Sequence, residues 1–129
     1  MGYQHAGAQV YLLNYHLIWC PKRRRAILVG KMKHRLEQVI RETAKEMHVE
    51  VIDLAVKLDH LHLFISAYPQ VPAHKIVKRF RGRSSHMLRR ELPELLKLPS
   101  LWTHACFVST AGHVSAKTMP DYTQRQSKR

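Results

Sequence analysis

The chain has 129 residues, 45% of them apolar and 24% charged, an ordinary globular composition at a length suited to one domain. Lys and Arg number 22 against 9 Asp and Glu, a formal net charge of +13 with His neutral. Such a charge on so small a chain points to a polyanionic partner, nucleic acid first and an anionic membrane surface second, while no apolar run approaches the ~20 residues of a membrane span.

The first nine residues lack the basic start, apolar stretch and cleavage site of a signal peptide. Cys20 and Cys106 are the only cysteines. Two are too few for a four-thiolate zinc site or a disulfide framework, and both read as small buried hydrophobes. The expected compartment is the cytoplasm. No repeat, low-complexity tract or Gly/Ser linker divides the chain, so residues 1–129 read as a single domain.

Residues 9–20 alternate as a strand. Tyr11, Leu13, Tyr15, Leu17 and Trp19 form one apolar face, and Val10, Leu12, Asn14, His16 and Ile18 the other, mixed one. Pro21 stops the strand, and the basic loop Lys22, Arg23, Arg24, Arg25 follows. Residues 31–47 have helical spacing, with Met32, Leu36, Val39, Ile40, Thr43 and Met47 on one face, between Gly30 and His48.

Two strands come next, 49–58 and 60–68, joined by a link short enough for an antiparallel hairpin. Their core faces are expected to be Ile52, Leu54, Val56, Leu58 and then Leu61, Leu63, Ile65, Ala67. A second helix is expected over 73–91, with Ile76, Val77, Phe80, Ser84, Met87 and Leu88 inward. It carries Lys75, Lys78, Arg79, Arg81, Arg83, Arg89 and Arg90 with no acidic residue before Glu91. Like charges on one helix repel unless something neutralises them, so we read this face as a phosphate contact. A last strand over 102–110, with Phe107 and Val108 as its apolar part, is broken by Gly112, and a terminal helix spans roughly 115–126. The order β-α-β-β-α-β-α implies an α+β fold, an antiparallel sheet of the ferredoxin-like, split βαβ kind with helices packed on it.

The most informative short stretch is Asp59-His60-Leu61-His62-Leu63-Phe64. Strand parity puts His60 and His62 side by side, with Cα atoms ~7 Å apart, and the leucines opposite. Two imidazoles so placed either converge on one metal ion or are unrelated surface histidines. A second-shell acceptor, Asp59 or a nearby carbonyl, would fix a ligand's tautomer. His16 shares a strand face with Asn14. It either approaches this site or, the preferred reading, is a buried structural histidine. Tyr122 and Gln126 lie four apart, on one face of a helix. A tyrosine there is either a phosphoryl-accepting nucleophile or a surface residue of the tail.

At these residues the chain resembles the single-tyrosine HUH transposases, the TnpA type of small insertion sequences. The resemblance runs through YHLIWCPKRRR (15–25), DHLHLFIS (59–66), IVKRFRGRSS (76–85), LWTHACFVSTAG (101–112) and YTQRQ (122–126). It implies that His60, His62 and Gln126 bind a divalent metal, Mg²⁺ or Mn²⁺. Tyr122 would be the nucleophile that forms a covalent 5′-phosphotyrosine while cutting and rejoining single-stranded DNA. It also implies a homodimer that recognises hairpins near the element ends, with a terminal helix able to serve the partner's active site. Neutral ligands leave the ion its full charge for the phosphate. Gly112 is a candidate hinge for the terminal helix, and Pro120, two residues before Tyr122, starts or kinks that helix.

The competing reading is a non-catalytic single-stranded nucleic-acid-binding module on the same sheet. The basic loop and helix serve both; His60, His62, Gln126 and Tyr122 are needed only by the enzyme. A plain two-metal nuclease is disfavoured by the lack of an acidic cluster, and a membrane-surface protein by helices whose apolar faces suit a core.

Overall fold

The structure, a computed structural model, describes residues 12–110. Its elements are β1 (Leu13–Pro21), α1 (Gly30–Glu46), β2 (Glu50–Val56), β3 (Leu61–Ala67), α2 (Ala73–Glu91) and β4 (Trp102–Thr110). Short 3-10 turns at Lys22–Arg24 and Pro93–Lys97 complete the chain path. The four strands form one sheet in the order β2-β3-β1-β4, every neighbouring pair antiparallel. This is the expected α+β, ferredoxin-like arrangement. Tyr11, Gly112, Pro120, Tyr122, Gln126 and the terminal helix expected over 115–126 lie outside the described residues.

Both helices cover one face of the sheet. Leu17 and Trp19 of β1, and Leu61, Leu63 and Ile65 of β3, meet Leu36 and Ile40 of α1 and Ile76, Phe80 and Leu88 of α2, all at most 1% exposed. Each such side chain contributes roughly 1.5–3 kcal/mol on burial. Trp19 lies 5.9 Å edge-on to Trp102 and 6.4 Å from Phe80. The Trp102 indole N–H donates to Ser84 Oγ, which donates in turn to the Phe80 carbonyl. The polar group in the middle of α2 is thereby satisfied.

Helix α1 ends where His48 turns left-handed at φ 58. The Val49 N–H returns to the Ala44 carbonyl at 2.9 Å and the His48 N–H to Lys45 at 3.2 Å. This is a Schellman closure, usually given to glycine. Helix α2 and strand β4 have the bounds that periodicity assigns them. Strand β2 departs from simple alternation. Val51 pairs with Ile65 but Asp53 pairs with Phe64, so Ile52 is an inserted, bulged residue, 40% exposed. The core side of β2 is Val51, Leu54 and Val56 rather than a set beginning at Ile52. Leu58 sits in the hairpin turn, 59% exposed, instead of on the core face. Phe107 and Val108 are more than a third exposed, and β4 gives the core Trp102 instead. Cys20 and Cys106 are half-buried free thiols, and burial raises the Cys106 pKa to about 11.

Candidate active site

The sheet face turned away from the helices carries the candidate site. The register places Phe107, Ile18, His62 and Ala55 in one row across β4, β1, β3 and β2. Ser109, His16, Phe64 and Asp53 form the next. His60 stands two residues before His62, where the β2–β3 hairpin closes with the Lys57 N–H donating to the His60 carbonyl at 2.8 Å. Both histidines are only 6% exposed. Parity thus brings them to the same face, as the sequence requires.

Each has its Nδ1 engaged. Nδ1 of His60 lies 3.0 Å from Oδ1 of Asp59. The His60 hydrogen bond is the main cause holding the Asp59 pKa below its usual range, so Asp59 is an anion that only accepts. A proton must sit on His60 Nδ1, which in the neutral ring leaves the lone pair on Nε2. The other Asp59 oxygen takes a 3.4 Å bond from Arg24 of the basic loop. Nδ1 of His62 lies 3.3 Å from Nε2 of His16, where either ring nitrogen can carry the shared proton. Burial is the main cause lowering the His62 pKa, against the pull of Asp53. The same desolvation, helped by His62, takes His16 down to about 4. Both rings are neutral near pH 7, the state in which an imidazole binds a metal.

His60 and His62 suit a divalent ion in chemistry, and the Asp59 contact also suits His60 in tautomer. Among the described residues no three His, Cys, Asp or Glu side chains group as a metal site. A third donor such as Gln126 would come from outside them. Beside His60 opens a pocket of about 190 Å³ lined by Ile18, Cys20, Arg24, Cys106 and Phe107. Asp53 and the Arg24–Asp59 bond are site features that the sequence reading leaves unassigned, while His16, read there as either near the site or a buried structural histidine, is both buried and beside His62.

The basic residues divide into groups. Arg23, Arg24 and Arg25 are exposed and Lys22 half-buried, with Arg23 and Arg24 left-handed at φ 61 and 53. On α2, Arg79 and Arg83 turn to Glu46 of α1, and Arg81 donates to the backbone carbonyls of Thr103 and His104. Lys75 and Lys78 are exposed. Lys78 and Arg81 share with His74, Trp102 and His104 a groove of about 510 Å³ between α2 and β4. Of the loop cations Arg24 borders the pocket at His60, and the helix cations belong to the other side of the sheet.

Residues 9–126 match the family described as Transposase IS200 like. The chain belongs to the IS200-like transposases. The ISDra2 transposase TnpA of Deinococcus radiodurans is 33% identical over 120 residues, covering 91% of this chain and 86% of its own. The transposase for insertion sequence element IS200 of Salmonella typhimurium is 24% identical over 115 residues, covering 87% and 75%. A Deinococcus radiodurans R1 transposase crystal structure superposes with a TM-score of 0.81 at 30% identity, covering 97% of this chain and 96% of that one. A REP-associated tyrosine transposase bound to a REP hairpin shares the fold at a TM-score of 0.63 and 11% identity, covering 92% and 68%. This IS200-like transposase is an enzyme of DNA transposition, and no helix among its described residues is long and apolar enough to cross a membrane.

Proposed function

We propose that this transposase cuts and rejoins single-stranded DNA at insertion-sequence ends, with Mg²⁺ or Mn²⁺, through a covalent 5′-phosphotyrosine on Tyr122. The observation that carries the reading is the buried His60–His62 pair, each ring engaged at Nδ1. His60 and His62, with Gln126 as third protein donor, would hold the ion. When bound, the ion neutralises the scissile phosphate oxygens and eases departure of the 3′-oxygen.

The Tyr122 phenol loses its proton and its oxygen attacks the phosphorus. A phosphorus–oxygen bond to tyrosine forms as the bond to the 3′-oxygen breaks, and the 3′-oxygen leaves as a hydroxyl, taking up through solvent water the proton that the phenol released. The tyrosyl diester conserves the bond energy, so attack by another 3′-hydroxyl rejoins strands without ATP. Arg24 borders the pocket beside His60, and the loop Lys22 to Arg25 would steer the strand through phosphate contacts. Lys75, Lys78, Arg79, Arg81 and Arg83 belong to the same proposal as the docking face for the rest of the DNA, with hairpins as its form. The REP-hairpin complex of the structural neighbour fits that expectation. The active species would be a homodimer.

The test is incubation with single-stranded DNA spanning the flanking element ends, plus Mn²⁺ or Mg²⁺, followed by a denaturing gel. A covalent protein–DNA adduct that disappears on adding chelator is the expected result. Tight binding with no adduct in either metal would overturn the covalent-tyrosine mechanism.

A further inference from the structure

His16 is a fully buried polar side chain on β1, at 0% exposure. A buried imidazole is costly unless its polar atoms are used, and an aliphatic residue would fill the same volume more cheaply. Its ring is fixed from two sides. It stands edge-on to Phe64 at 6.3 Å and 88°, and edge-on to His62 at 5.3 Å and 86°. The register makes His16 and His62 diagonal neighbours, since His16 pairs with Phe64 and Ile18 with His62. The diagonal contact is a hydrogen bond, Nε2 of His16 to Nδ1 of His62 at 3.3 Å.

We propose that His16 is a positioning residue of the metal site: its Nε2 accepts a hydrogen bond from Nδ1–H of His62, so that Nε2 of His62 keeps the lone pair that binds the metal. The inference rests on the reading of His62 as a ligand. Of the two ways to share the proton, the reverse one puts a proton on His62 Nε2 and blocks it as a donor. His62 then stands to His16 as His60 stands to Asp59, each ligand locked at Nδ1 by a residue of the fold. The two locks differ in charge. An anion beside His60 and a neutral ring beside His62 leave more of the ion's positive charge for the phosphate than two carboxylates would.

The experiment uses the full chain, ¹⁵N-labelled and metal-free, with long-range ¹H–¹⁵N correlations reading the histidine tautomers and His62→Ala assigning the His62 signals. The wild type should show His62 protonated at Nδ1. His16→Gln should keep that tautomer, because its amide oxygen also accepts, whereas His16→Leu should lose it. Titration with Mn²⁺ should show His16→Leu weaker by about 10–100-fold and His16→Gln close to wild type. A wild-type His62 protonated at Nε2 overturns the proposal, and this reading stands even if His16→Leu fails to give a folded spectrum. Unchanged Mn²⁺ affinity in His62→Ala overturns the ligand reading itself. Lost affinity in His62→Ala, with full affinity and an unchanged tautomer in His16→Leu, overturns only the role of His16.

Discussion

Oδ1 of Asp59 lies 3.0 Å from Nδ1 of His60, its neighbour in the chain, while Oδ2 of the same carboxylate takes the Arg24 guanidinium at 3.4 Å. One carboxylate thus ties the basic loop to a ligand of the proposed metal site. Asp59→Ala should weaken Mn²⁺ binding by about 10–100-fold, the usual cost of losing such a partner. Arg24→Ala should cost less in metal affinity, because its pair with Asp59 is largely exposed, and more in DNA affinity. Mn²⁺ titration beside DNA binding measured in chelator separates the two.

His60→Ala or His62→Ala should abolish cleavage and leave hairpin binding largely intact. Mn²⁺ should support the wild type at least as well as Mg²⁺, since imidazole suits it better. Normal cleavage in Mg²⁺ by either variant would move the metal elsewhere.

Tyr122→Phe should eliminate the covalent adduct while folding and hairpin binding persist, as read on a denaturing gel and by thermal melting. Tyr68 is the rival by parity, but it follows the end of β3, six residues from His62 or ~20 Å along extended chain. An adduct surviving in Tyr122→Phe and lost in Tyr68→Phe would reverse the assignment.

Phosphate contacts release counterions, so binding should weaken steeply with salt. Lys75→Glu with Lys78→Glu should lower affinity and flatten the log–log salt slope by about 0.7 per single-strand contact removed. Arg81→Ala should also lower the melting temperature, because Arg81 holds the carbonyls of Thr103 and His104. Unchanged DNA binding in the double lysine variant would show that this face is merely solvated.

Folding stability should fall in mild acid through His16. Its pKa is about 4 in the fold against 6.5 unperturbed. Between those values the unfolded chain binds a proton that the folded chain refuses. The contribution of His16 is therefore fully present above pH 6.5 and lost as pH falls toward 4, by about 3 kcal/mol in all. Urea unfolding in chelator at pH 7 and 4.5 should show a smaller pH dependence in His16→Gln than in the wild type.

The parts of the fold legible in the sequence are those whose signal is local. Alternation alone places His60 and His62 on one face, and helical spacing with Pro72 and Pro93 at its ends delimits α2. The bulge at Ile52 is hidden because one inserted residue resets parity, and Val51 and Ile52 are both apolar. The basic helix shows the other limit. Composition counts its cations but not their partners, and Glu46, which takes Arg79 and Arg83, lies on a different helix. The hydrogen bond between His16 and His62 likewise spans 46 positions and becomes visible only with the strand register.

The strand order β2-β3-β1-β4 puts the two histidine-bearing strands inside the sheet and leaves β2 and β4 as its margins. Every local opening that frays a margin leaves the β1–β3 ladder closed. The amides of β1 and β3 that bond across the β1–β3 ladder should therefore exchange with solvent only on global unfolding, while those of Val108 to Thr110 exchange sooner. His16 and His62 should then be carried by the slowest-opening part of the molecule, so the strand margins can breathe as DNA enters and leaves while the contact between these two rings is kept.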